Sequence, residues 1–349
     1  MMSFLCWPAI CRPTRRIDGE YMIFVNIVIL VVAFAALVKG ADVFVDGSVL
    51  LAKKMKVSGM IIGLTIVALG TSAPELAVST IAAMRGSNEI ALSNVTGSNI
   101  FNLLCVLGAC ALLSPVPSSK ETLKRDMPIS IIITVAVWLF GGGLLLFSKN
   151  NAMIEMVGMQ LGTVGRLEGL FLIVVFLGYM FWLIKVSKDE SGLKEEQANS
   201  DISIAKCGLR MLIGLALIVI GGQGVVESAK SIAYYLGLSE TLVGLTIVAV
   251  GTSLPELVTS VVAAKKHETG LAVGNVVGSN IFNMMFILGI TALINPVAVS
   301  FESSMDILVL FAVSVLTYIF LISKRRINKY EGISMIGIYI AQVIYAIVR

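Results

Sequence analysis

Two blocks of this sequence occur twice at one spacing. Residues 63–80 (GLTIVALGTSAPELAVST) return as residues 244–260 (GLTIVAVGTSLPELVTS), and residues 94–104 (NVTGSNIFNLL) return as residues 275–285 (NVVGSNIFNMM). Thr71 maps onto Thr252 and Ser98 onto Ser279, in both cases 181 residues further on. Two matched blocks sharing one offset make the chain an internal duplication. Any fold it adopts is therefore built from two copies of one unit.

The solvent for that unit is lipid. Of the 349 residues 57% are hydrophobic and only 14% charged, where a soluble domain carries roughly 25% charged residues. Mean hydropathy is +0.93. Apolar runs place ten candidate membrane helices at about 21–40, 58–83, 89–114, 127–147, 166–186, 207–227, 241–264, 270–294, 305–322 and 332–348, because a span needs roughly 20 apolar residues. Several runs are longer than a bilayer requires, which leaves room for tilt or local breaks.

Lys and Arg set the orientation. The loops after the odd-numbered spans hold 17 of the 26 basic residues and the opposite side holds 8, with Lys39 left inside the first span. The positive-inside rule then puts both termini outside and the polar stretch 187–206 (SKDESGLKEEQANSDISIAK) in the cytoplasm of a plasma-membrane protein, as a linker. Residues 1–20, with Arg12, Arg15, Arg16 and two prolines, read as a tail, either disordered or upstream of a start at Met22. No compact apolar region with a small-residue cleavage site marks a signal peptide there. The units are thus 1–20 tail, 21–186 first five-helix repeat, 187–206 linker and 207–349 second five-helix repeat.

Equivalent spans lie five helices apart, an odd number, so the two copies cross the membrane in opposite directions. The expected fold class is an all-α integral membrane protein of ten transmembrane helices, arranged as two inverted five-helix repeats with helices broken at the midplane. Inverted repeats are a recurrent plan of secondary transporters, with the site at the repeat interface.

The motif itself carries chemistry. Pro74 and Pro255 stand inside apolar runs, where proline removes a helical hydrogen bond and pushes the preceding residue out of helical geometry. Beside each break is a carboxylate, Glu75 or Glu256. A charge at the bilayer centre costs at least about 2.5–3.5 kcal/mol, so an intramembrane carboxylate is a functional candidate by default. Thr71 and Ser72 share a helix face with Glu75, as Thr252 and Ser253 do with Glu256. In the second block Ser98 and Asn102, and Ser279 and Asn283, repeat the four-residue spacing, and Gly97 and Gly278 permit close helix approach.

Read singly, each part has a plainer explanation. A membrane serine or threonine usually back-bonds to its own helix, and a proline can be a kink. Duplication of the whole set, with no basic residue inside either motif, makes function the better reading. Asp42, Asp46 and Glu227 read as interfacial or structural.

Two carboxylates, hydroxyls, amide oxygens and freed carbonyls form an all-oxygen set. Hard cations such as Ca²⁺ and Na⁺ suit it; zinc and copper do not. The single histidine, His267, lies in a short polar stretch, and the five cysteines form no Cys-x-x-Cys pair. The chain needs no cofactor: its partners are transported ions and the bilayer, and nothing suggests nucleic acid or an obligate protein partner. One Ca²⁺ or two Na⁺ would neutralise the two carboxylates, and competition for one charged site is the simplest basis for exchange.

These residues resemble the calcium/cation antiporter family, the Na⁺/Ca²⁺ exchangers of the short prokaryotic type. GTSAPE and GTSLPE look like its paired repeat signatures, GSNIFN like their second halves, and the likeness covers nearly the whole chain. The resemblance implies exchange of Na⁺ for Ca²⁺ by alternating access, with no enzymatic activity. It implies that Glu75 and Glu256 bind Ca²⁺ with help from the backbone oxygens of Thr71 and Thr252. It implies that Ser72, Ser98, Ser253 and Ser279 help bind Na⁺, with Asn102 and Asn283 near the centre. Some members, including K⁺-dependent ones, carry Asp where this chain has Asn283. The neutral residue argues against K⁺ co-transport and leaves the ion ratio open.

Four rivals remain distinguishable. A Ca²⁺/H⁺ antiporter on the same scaffold would use the two glutamates as proton carriers, although the hydroxyl set favours Na⁺. A passive cation channel fits inverted, broken repeats poorly. An intramembrane hydrolase lacks a histidine base near either serine, and an ATP-driven pump lacks a G-x-x-x-x-G-K-[ST] loop.

Overall fold

A computed structural model describes residues 12–147, 159–190, 203–237 and 249–348. The linker residues 191–202, Cys6 and Cys11, and the first part of the second repeated block, 244–248, lie outside the described residues.

Helix dominates because lipid leaves backbone polar groups no partner but one another. The order is α1 Arg12–Met55, α2 Gly59–Thr71, α3 Ala73–Met84, α4 Glu89–Leu113, α5 Met127–Phe140, α6 Arg166–Glu190, α7 Ile204–Tyr235, α8 Leu254–Lys265, α9 Thr269–Ile294, α10 Phe301–Ser323 and α11 Lys329–Val348. Among the described residues six helices are long and apolar enough to cross a membrane, and α2 with α3, bent by 47° where they meet, makes a seventh. The protein is a multi-pass membrane protein.

The first helix departs from the sequence expectation. It runs from Arg12 to Met55 rather than over 21–40, so residues 12–20, expected as tail, are helical. Asp42 and Asp46 lie within it. Lys266, at the end of α8, pairs with both at 2.6 Å.

Burial divides the helices into centre and rim. In the most apolar windows of α4 and α9, 78% of residues are buried by protein, against 6% in α1. The central pair therefore carries the polar blocks, and α1 presents Phe24, Val31 and Val32 outward, as a lipid-facing helix should. Small residues set the tightest crossings. A Cβ on Gly63 would stand 2.5 Å from Leu271 O, and one on Gly274 would stand 2.3 Å from Met60 O, so α2 and α9 touch backbone to backbone. Gly278 does the same, with Leu64 Cα 2.7 Å from where its Cβ would stand; a Cβ on Gly97 would meet no described atom of another element within 4 Å.

Short strands tie the halves together. β1 (Val116–Pro117) pairs with β4 (Arg326–Ile327), and β2 (Gln160–Val164) pairs with β3 (Val297–Ser300), both antiparallel. Each ladder takes one strand from either half of the chain. At the end of α5 a buried polar knot fixes α6: Tyr179 Oη donates to Asp126 Oδ1 at 2.9 Å, Arg125 pairs with Asp126, and its guanidinium lies 5.4 Å from the Trp182 ring centroid.

Candidate ion-binding site

Both proline motifs break their helix, and in the same way. Ser72 separates α2 from α3 with φ −83° and ψ 10°, and Ser253 precedes α8 with φ −92° and ψ 6°. Pro74 and Pro255 then take the second position of the new helix, where a missing N–H leaves no bond unmade. Glu75 and Glu256 follow in the first turn, the end of a helix that favours negative charge.

The carboxylates are fully buried and held from the opposite half. Ser72 Oγ donates to Glu256 Oε1 at 2.7 Å, and Ser253 Oγ donates to Glu75 Oε1 at 3.0 Å. Ser279 Oγ also reaches Glu256 Oε1 at 3.4 Å. Ser98, its counterpart, is buried with its Oγ unpartnered. A hydroxyl that gives its proton to a carboxylate keeps its lone pairs for a cation.

In α4 and α9 the ladder opens into a π turn beginning at Asn102 and at Asn283, the kind of irregularity often found at functional sites. Asn102 Oδ1, Asn283 Oδ1, Glu75 Oε2, Glu256 Oε2 and Ser98 Oγ are buried without a hydrogen-bond partner. Buried polar atoms are nearly always partnered, so five orphans among the candidate ligands need an explanation. Each can accept, and an acceptor cluster around two carboxylates is what a dehydrated hard cation requires. Among the described residues no group of three or more His, Cys, Asp or Glu could hold a metal; the charge here is two glutamates and the remaining donors are neutral oxygens.

The threonines take another part. Thr71 Oγ1 donates to Asn275 Oδ1 at 3.1 Å, and Thr252 Oγ1 to Asn94 Oδ1 at 3.4 Å. Asn275 Nδ2 in turn donates to Ser260 Oγ, and Asn94 Nδ2 to Ser79 Oγ, each at 3.0 Å. The threonine hydroxyls therefore spend their protons on bonds that hold the two halves together.

Of the ten residues expected from sequence, nine are buried here, and Thr252 is half-buried on the wall of a cavity. Sequence reasoning gave no role to Asn94, Asn275, Ser79, Ser260, Asn99 or Asn280. A signal was available: each is a polar residue in an apolar span that recurs unchanged 181 positions away.

A cavity of about 370 Å³ leads towards the breaks, lined by Pro74, Pro255, Thr252, Gln223, Glu227 and Lys230. Its outer end carries the Lys230–Glu227 ion pair at 2.9 Å.

Comparison with known proteins agrees with this geometry. The family described as "Sodium/calcium exchanger protein" matches residues 25–185 and 208–348. The chain is 37% identical to a putative antiporter, CaxA, of Alkalimonas amylolytica, over 90% of this chain and 96% of that one. It is 35% identical to the sodium/calcium exchanger MaX1 of Methanosarcina acetivorans, over 92% and 98%. The solved sodium-calcium exchanger NCX_Mj, soaked with 10 mM Na⁺ and no Ca²⁺, superposes with a TM-score of 0.77 at 29% identity, covering 92% of this chain and 98% of that one.

Proposed function

We propose, from the premise that this chain belongs to the sodium/calcium exchanger protein family, that it is a secondary antiporter exchanging Na⁺ for Ca²⁺ by alternating access. The observation that carries the reading is the crossed pair of serine–glutamate bonds, Ser72 to Glu256 and Ser253 to Glu75, with the second oxygen of each carboxylate left open. One Ca²⁺ between them would cancel two buried negative charges that repel each other; Na⁺ ions taken by the same oxygens would do so in its absence. Mutual exclusion at one site is sufficient for exchange.

In this reading Glu75 and Glu256 bind Ca²⁺, with the backbone oxygens of Thr71 and Thr252. Ser72, Ser98, Ser253 and Ser279 contribute to Na⁺ binding, and Asn102 and Asn283 supply central oxygens. The chain spans the membrane ten times as two inverted five-helix repeats, 21–186 and 207–349, with both termini outside and the 187–206 linker in the cytoplasm. Two bonds that map onto each other by the 181-residue offset, Thr71 to Asn275 and Thr252 to Asn94, and the shared strand ladders support that plan. On that orientation the cavity at Pro74 and Pro255 is the water route from outside.

The test is radioactive Ca²⁺ uptake into Na⁺-loaded liposomes diluted into Na⁺-free buffer. Uptake that needs internal Na⁺ and vanishes in Glu75→Gln and Glu256→Gln is expected. Uptake that ignores Na⁺ and follows an imposed pH gradient would replace this reading with Ca²⁺/H⁺ antiport, and flux without saturable counter-flow would point to a channel.

A further inference from the structure

Beside the ion ligands, Asn99 of α4 and Asn280 of α9 face each other across the interface of the halves, both 1% exposed. Asn99 Nδ2 donates to the backbone carbonyl of Asn280 at 3.2 Å, and Asn280 Nδ2 donates to the backbone carbonyl of Asn99 at 3.2 Å. These two bonds orient everything next to them. A carbonyl can only accept, so each amide must turn its NH₂ group towards it and its oxygen away. Asn99 Oδ1 then accepts from Asn283 Nδ2 at 3.0 Å, and Asn280 Oδ1 accepts from Asn102 Nδ2 at 3.1 Å. That spends the donor ends of Asn283 and Asn102. Their oxygens, Asn283 Oδ1 and Asn102 Oδ1, are the buried acceptors left without a partner.

We infer that Asn99 and Asn280 are positioning residues for ion selectivity: the crossed pair fixes which end of Asn102 and Asn283 faces the cations. Resting on the exchanger reading above, the inference goes beyond the ligands to what aims them. An unconstrained asparagine amide can rotate and present NH₂, which repels a cation, as readily as oxygen. The crossed bonds remove that choice, and they do so from the opposite half for each ligand. The arrangement also selects for a neutral side chain at position 283. A carboxylate there would set two acceptors against each other, its own oxygen and Asn99 Oδ1, while Asn99 Nδ2 is already committed to Asn280.

The experiment uses the full-length purified chain and measures equilibrium Ca²⁺ and Na⁺ dissociation constants, with transport KM and maximal rate in liposomes. Asn99→Leu keeps the branching at Cγ and removes both polar ends of the amide. It is expected to raise the Ca²⁺ and Na⁺ dissociation constants and KM roughly tenfold, the scale of one lost hydrogen bond at a ligand, with the ion-free melting temperature and maximal rate little changed. In an Asn283→Ala background the same substitution should add nothing, because the ligand it aims is already gone. Asn280→Leu repeats the test through Asn102, and Asn99→Ser serves if leucine is not accommodated. An unchanged dissociation constant in the Asn99 and Asn280 variants, or an equal loss with and without Asn283, would overturn the inference. If Ca²⁺ binding is lost in Glu75→Gln but intact in Asn99→Leu, this inference alone fails. If the unmodified chain binds neither ion, the exchanger reading fails and takes the inference with it.

Discussion

Ser72 and Glu256 stand 184 residues apart in the chain and 2.7 Å apart in space. The serine is the pivot of the break between α2 and α3, and the glutamate opens α8 in the other half. The reverse bond, Ser253 to Glu75, makes each half the support for the other's charge. Neither half has a complete site alone.

Removing that support should cost binding before it costs folding. A hydrogen bond to a charged group contributes about 1.5–3 kcal/mol, so Ser72→Ala and Ser253→Ala should each weaken apparent Ca²⁺ affinity by at least tenfold. Initial uptake rates against Ca²⁺ concentration read this directly; unchanged curves would mean that the serines merely pack.

The α2–α9 crossing has no room for a side chain. Gly274→Ala would place a methyl group 2.3 Å from Met60 O and Gly63→Ala one 2.5 Å from Leu271 O. Both are backbone atoms, which cannot swing aside. Each substitution should sharply reduce the yield of monodisperse protein in detergent, whereas Gly86→Ala, with no atom within 4 Å, should show only the mild effect of its positive φ. A normal yield for Gly274→Ala would contradict the close crossing.

His267 holds φ at +62°, and its equivalent in the first half is Gly86 at +76°. Both close a helix with the same pair of bonds, Ser87 N to Ala82 O and Glu268 N to Ala263 O at 2.9 Å. A left-handed residue other than glycine costs about 1–2 kcal/mol. His267→Gly should therefore raise the melting temperature by a few degrees and leave transport unaltered, since the turn lies outside the site. A lower melting temperature would show that the imidazole makes a compensating contact.

Asp126 is completely buried between Arg125 and Tyr179. Deleting one partner of a buried pair is usually worth about 3–5 kcal/mol, because the other charge stays behind. Asp126→Ala should lower thermal stability far more than Tyr179→Phe, which removes a single hydrogen bond of about 1 kcal/mol. Melting curves of the two variants side by side decide it, and equal losses would refute the charge argument.

Much of this was legible in the sequence, and for definite reasons. Lipid forbids unpaired backbone, so apolar runs translate into helices almost mechanically. Proline next to glutamate in an apolar run has few structural uses, so the breaks at Ser72 and Ser253 and the burial of Glu75 and Glu256 could be foreseen. The duplication at 181 residues then nominated Ser98, Ser279, Asn102 and Asn283 together, where each alone would have been unremarkable. Helix ends were less readable: α1 continues past Lys39 to Met55, and the partner of Asp42 and Asp46 is Lys266, far away in sequence.

What only the tertiary structure decided is which oxygen faces which. The sequence by itself determined the chemistry of the site, two carboxylates among hydroxyls and amides, because residue type fixes charge and hydrogen-bonding capacity. It could not say that the Thr71 hydroxyl is committed to Asn275, or that Asn99 and Asn280 aim Asn283 and Asn102. An amide is symmetric in shape and opposite in polarity at its two ends. Its direction is set by partners on another helix, brought near only when the two halves of the chain close on each other.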